Sequence, residues 1–146
     1  MQALTLAQAD RIASVALATG RSHKMAPLTV VVLDAGGHIV VVKREDGSGI
    51  ARVEIARGKA WGALGMGFGS RNLASRAARM PGFFTALAAA TDGRMVPVPG
   101  GVLIRDGQSN VLGAVGISGD VSDNDEICAL AGVEAAGLIG DPGAEM

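Results

Sequence analysis

Leu28-Thr-Val-Val-Val-Leu33 and Ile39-Val-Val-Val-Lys43, joined by Asp34-Ala-Gly-Gly-His38, are two β-branched runs around a turn whose glycines accept positive φ. This is the pattern of a β-hairpin. Both runs are apolar almost throughout, which predicts a sheet covered on both faces. Further along, Val102-Leu-Ile-Arg105, a turn at Asp106-Gly107 and Val111-Leu-Gly-Ala-Val-Gly-Ile117 make a second β unit. Because strand neighbours are joined by tight turns, the expected class is α/β (α+β), an antiparallel sheet of about five strands with helices packed on it.

The helices are placed by caps and breakers. Thr5-Leu6-Ala7-Gln8 is a capping box, and Ala9, Ile12, Ala13 and Ala16 recur at helical spacing up to Gly20, which predicts a helix over residues 6–19. Residues 51–64 also read as helix, although Gly58, Gly62, Gly65 and Gly69 recur three or four apart and each costs about 1 kcal/mol against Ala inside a helix. Something must approach that face closely, and close packing is favoured over a bound ligand. Residues 70–92 read as one or two short helices broken at Pro81-Gly82, with Arg76 and Arg79 sharing a solvated face. Ser122 is the expected N-cap of a last helix reaching Ile139, with a frayed tail over residues 140–146.

A length of 146 residues fits one domain, 1–146, with one core. Thirteen basic against fourteen acidic side chains leave no field for nucleic acid or an anionic membrane, and one Trp, three Phe and no Tyr offer no stacking platform for bases. Cys128 is the only cysteine, so no intrachain disulfide forms, and the first twenty residues lack a basic leader pattern and carry Asp10 and Arg11 within the apolar stretch. A cytoplasmic location is expected. With 22 glycines, 49% hydrophobic and 18% charged residues, the chain has more apolar surface than one small core uses, which predicts a homo-oligomer.

Few side chains offer chemistry. Pro99-Gly100-Gly101 precedes a strand and is either a plain turn or a place where backbone N–H groups meet an anion. Arg57 and Lys59 leave their helix on different faces. Lys59 sits among Gly58, Ala60 and Trp61, and a lysine in such surroundings needs a partner, either an Asp in a structural ion pair or an anionic ligand. Glu54, Asp120 and Asp125 are the available carboxylates, with Asp125 equally suited to the helix dipole. Gly113, Gly116 and Gly119 are read as points of close approach to a strand. His23 and His38 fall in no metal-ligand spacing, and no nucleophile elbow, phosphate loop or dinucleotide fingerprint is present, so no metal site is expected.

Val31-Val-Leu-Asp-Ala-Gly-Gly-His38, Glu54-Ile-Ala-Arg-Gly-Lys-Ala60, Val96-Pro-Val-Pro-Gly-Gly101 and Gly113-Ala-Val-Gly-Ile-Ser-Gly119 followed by Asp125-Glu126 together resemble the GlcG/haem-binding-protein (HbpS-like) family. The same domain is similar to the C-terminal part of the PduO type of corrinoid adenosyltransferase. The resemblance spans essentially the whole chain and implies a profilin-like fold, assembly from dimers up to octamers, and haem or a related tetrapyrrole as ligand in some members. Two positions depart from it. The haem-sensing branch associates iron with paired acids on the helix carrying Glu54, but three residues on this chain has Arg57, and Gly69-Ser70-Arg71 replaces a common Pro-Thr pair.

Three functions follow as expectations. The first is a homo-oligomeric binding protein for a haem, another tetrapyrrole or a small carboxylated metabolite, with Lys59, Arg57, Pro99, Gly100, Gly101, Gly119 and Asp120 about the ligand. The second is an isomerase or lyase acting on a small organic acid, using Lys59, Asp125 and Glu54. The third is a structural or regulatory assembly protein.

Overall fold

The computed structural model describes residues 2–146. The order is α1 (Leu6–Ser22), β1 (Thr29–Asp34), β2 (Ile39–Arg44), α2 (Arg52–Met66), α3 (Ser70–Arg79), α4 (Pro81–Ala90), β3 (Gly101–Arg105), β4 (Val111–Ser118), α5 (Ser122–Ala135) and β5 (Ile139–Asp141). All strand pairs are antiparallel, in the order β2-β1-β4-β3-β5. The five-stranded antiparallel sheet and the helices on it are those expected from the two β units.

Alternation along the strands divides the core. Val30, Val32, Val102, Ile104, Val115 and Ile117 face α1 and α5, whereas Val31, Leu33, Leu103 and Ala114 face α2. The capping box at Thr5 is present, with Gln8 N–H donating to Thr5 Oγ1 at 3.1 Å and Thr5 N–H to Gln8 Oε1 at 3.0 Å. Helix α1 runs on to Ser22 because Gly20 is a packing residue, not a stop: a Cβ there would lie 2.5 Å from Leu28 Cδ1.

Packing explains Gly58 and Gly62 of the glycine series, and Gly69, which caps α3, lies against the backbone of Pro142, whereas Gly65 is exposed and an added Cβ there would meet only Trp61 at 3.5 Å. Gly101 and Gly116 are register partners on β3 and β4. A Cβ at Gly116 would collide with the Ala56 carbonyl oxygen, and one at Gly101 with that of Lys59, so the backbone of α2 lies directly on the sheet. On the outer side, Gly58 and Gly62 admit the segment Arg94–Val96, whose Val96 N–H donates to Gly58 O at 3.1 Å.

Several local expectations are corrected. Strand β1 is buried on both faces, but β2 is an edge strand with Ile39 and Val42 exposed, because α2 packs over β1, β4 and β3 and leaves β2 uncovered on that side. Val121, with extended backbone, is the N-cap of α5, so Ser122 already lies inside the first turn and makes no capping bond. The helix ends at Ala135, and residues 139–141 pair with β3. The tail is therefore not frayed: Arg71 N–H donates to Pro142 O at 3.1 Å, Asn72 Nδ2 to Ala144 O at 2.8 Å and Met146 N–H to Ser75 Oγ at 3.0 Å.

The face bearing Arg76 and Arg79 is also not simply solvated. Arg76 donates to Asn72 Oδ1 at 2.7 Å and lies over the Phe68 ring at 4.3 Å, while Arg79 is exposed. On the same helix, Arg71 gathers Glu126, Asp123 and Glu145 and ties α3 to α5 and the tail.

Candidate functional site

Helix α2 separates the sequence-level candidates into two groups. Lys59 points inward and is 3% exposed, and Asp125 is 1% exposed. The Lys59 ammonium donates to Asp125 Oδ2 at 3.0 Å and to Ile117 O at 2.8 Å, and the other Asp125 oxygen accepts from Asp120 N–H at 3.1 Å. Burial pushes Lys59 down from 10.5 and Asp125 up from 3.8, and their mutual attraction offsets part of each shift. Gly100, at φ +120, closes over this pair, where a Cβ would be 2.9 Å from Lys59 Nζ. Gly101 donates its N–H to Ser70 Oγ at 2.7 Å, and half-buried Pro99 precedes it. These residues meet as a packed ionic joint between α2, β4 and α5.

The outward side of α2 carries an open cleft of about 350 Å³ lined by Glu54, Arg57, Gly58 and Trp61 with Asp92, Gly93 and Arg94. Positions 54, 57, 58 and 61 share one helix face by spacing alone. Trp61 is half-buried, and the Arg94 guanidinium stands 5.4 Å from its ring centroid. The β1–β2 turn passes beside the indole, since a Cβ added at Gly37 would lie 3.5 Å from its Cδ1 and Nε1. Arg94 pairs with Asp92 at 3.7 Å, whereas Arg57 is exposed and has no ion pair among the described residues. The sequence reading singled out Glu54 and Arg57 but missed Trp61 and Arg94. Trp61 was signalled by its spacing, but Arg94 comes from a loop with no period.

Gly119 and Asp120 serve another junction. A Cβ at Gly119 would collide with Pro27 O, and Asp120 accepts from Ala26 N–H at 2.9 Å and Asn124 Nδ2 at 2.6 Å. Those bonds hold the Asp120 carboxyl below 3.8. Its contribution to stability is therefore present above the unfolded value of 3.8 and lost as pH falls through the lower folded value. Urea denaturation should show the difference between the natural chain and Asp120→Asn narrowing as pH drops below 3.8. A constant difference would disprove the linkage.

His38 is held by Asp34, whose Oδ1 is 3.1 Å from its Nδ1, and His23 caps α1. Burial raises the Cys128 thiol to about 11, which suits an inert core position. Among the described residues, no group of three His, Cys, Asp or Glu side chains is placed to hold a metal ion. No described helix is long and apolar enough to cross a membrane.

The family model described as haem degrading protein HbpS-like matches residues 4–134. The chain belongs to the HbpS-like family. Solved structures similar to this HbpS-like chain include a PduOC–haem complex, 24% identical over 94% of this chain and 97% of that one, with a TM-score of 0.84. Klebsiella pneumoniae protein ORFY is 25% identical, covering 94% and 92% of the two chains, with a TM-score of 0.84. HbpS is 27% identical, covering 92% and 90%, with a TM-score of 0.78. The PduOC likeness speaks to the fold alone. No curated protein matches in sequence. The family and fold agree with the resemblance carried by the four sequence blocks.

Proposed function

We propose that this chain is a homo-oligomeric small-ligand-binding protein that takes haem or a related tetrapyrrole in the α2 cleft. The observation that carries this reading is the pairing, in one cleft, of the only tryptophan with two guanidiniums, Arg57 and Arg94. A tetrapyrrole is a flat, largely apolar ring with carboxylates at its edge. Trp61 supplies a face for the ring, the two arginines suit the carboxylates, and Gly93 leaves its part of the wall free of a side chain. The lining fits the periphery of haem and offers its iron no His, Cys or Met. Bound haem would supply iron redox chemistry, while these residues hold the ring and its edge. The family description supports the same ligand class.

A small carboxylated metabolite would use the same two cations without the indole. The family description as haem degrading favours a second, enzymatic reading, in which Glu54 is the carboxylate placed to move a proton in the cleft. Such an enzyme would be of the isomerase or lyase type if the substrate were a small organic acid. Oligomerisation is supported by exposed Phe83, Met80, Ile127 and Ile50, the last 96% exposed.

The chain has one Trp and no Tyr, so its fluorescence reports the cleft directly. Haemin should quench Trp61 saturably and shift its own absorption, and Arg57→Glu combined with Arg94→Glu should weaken binding about tenfold or more, about 1.4 kcal/mol. Native mass spectrometry of the loaded protein reads subunit count and retained haem together. Unquenched Trp61 with haem retained would move the site elsewhere. An oligomer that retains nothing would favour the assembly role.

A further inference from the structure

Helix α4 has the composition of a core helix and the exposure of a surface one. Pro81–Ala90 carries no charged side chain, and Thr85, its one polar side chain, turns its hydroxyl back to Pro81 O at 3.0 Å. Only Phe84 is buried, while Phe83, Ala86, Ala89 and Ala90 share one exposed side of the helix. A helix that is apolar all round belongs against further apolar surface. Within the subunit α4 packs chiefly on α3. The uncovered apolar area also continues past the helix, through exposed Met80 and a groove lined by Phe84, Met95 and Pro97.

The charges that flank α4 select what covers it. Arg79, two residues before the helix, is exposed and has no carboxylate within 4.0 Å among the described residues. Asp92, two residues after the helix, is exposed and is answered only by Arg94 at 3.7 Å. These two positions are equidistant from the middle of α4, between Thr85 and Ala86. A second copy packed antiparallel about a two-fold axis at that point therefore sets Arg79 of each copy level with Asp92 of the other. Asp92 also stands at the negative end of its own helix, and antiparallel pairing brings the positive end of the partner's helix beside it. Parallel pairing would instead set like charges together.

We propose that α4 is the face on which two copies of this chain pair, antiparallel, and that each copy supplies Arg79 to the other's α2 cleft. Asp92, Gly93 and Arg94 follow α4 directly and line that cleft. With Asp92 taken up by the partner's Arg79, the Arg94 guanidinium is released from its only carboxylate and turns to an anionic ligand. The cleft of one subunit is thus incomplete without the other. The contribution of Arg79 rests on the ligand reading of the cleft, whereas the pairing does not.

The test begins with sedimentation of the full chain without haemin. Arg79→Glu and Asp92→Arg should each raise the dissociation constant of the pair tenfold or more, and the two together should restore it by exchanging the charges. Ala86→Glu should separate the copies, and if it does not fold the charge exchange carries the same comparison. Ala86→Cys, close to the two-fold axis, should link two copies through a disulfide in oxidised glutathione, whereas Gln108→Cys on the β3–β4 turn should not. Haemin titration of Trp61 fluorescence then reads the cleft, and Arg79→Glu should weaken haemin about tenfold. Pairing through α4 without haemin binding would uphold the contact and refute the ligand reading alone. Association unchanged by Arg79→Glu and Ala86→Glu would overturn the pairing, and unchanged haemin affinity once the copies are separated would overturn the role of Arg79.

Discussion

Asp125→Ala is expected to destabilise the protein by about 3–5 kcal/mol, because it leaves the Lys59 ammonium buried with only the Ile117 carbonyl as partner. The replacement also frees the Asp120 N–H that now donates to Asp125. Urea denaturation measures the loss. The double replacement Lys59→Met with Asp125→Leu should recover most of it, since an apolar pair of similar volume removes the desolvation cost together with the attraction. A loss below about 1 kcal/mol in the single variant would mean that water reaches Lys59 and that the joint is looser than its 3% exposure indicates. Lys59→Met separates structure from binding. If it alters ligand affinity without altering urea stability, Lys59 is a ligand residue. If it alters only stability, the pair is a joint.

Gly116→Ala should cost about 3 kcal/mol or more, at the upper end of overpacking effects. The added methyl would meet the Ala56 carbonyl, with Ala60 N at 3.0 Å, and both belong to a helix whose position is fixed by the sheet beneath and by Arg94–Val96 above. No flexible side chain is available to yield. Gly82 is the matching control: it lies in α4 with nothing within 4 Å of an added Cβ, so Gly82→Ala should stabilise by about 0.4–1 kcal/mol. Thermal and urea midpoints on the two variants would read opposite signs. A tolerated Gly116→Ala would show that α2 can lift from the sheet, and the outward cleft, which is built on α2, would then be adjustable.

Much of the architecture was legible because it is encoded locally. The β-branched runs at 28–33 and 39–43 with their glycine turn, the capping box at Thr5, and the break at Pro81 each specify backbone conformation within a few residues, and the sheet and helices followed from them. Glycines at helical spacing on α2 announced a close neighbour. Periodicity also placed Arg57 and Lys59 on different sides of that helix. What periodicity does not encode is the partner on each side. That Lys59 meets Asp125 depends on chain folding across a separation of sixty-six positions, and that Arg94 reaches Trp61 depends on a loop without a repeating pattern. The tail reads as polar and glycine-rich, yet pairs with β3 and docks on α3, because an open sheet edge and Arg71 offer it bonds that no local signal records. That Arg52 donates to Ser118 is likewise visible only after folding, since sequence counts charges over the whole chain whereas tertiary structure decides which groups meet.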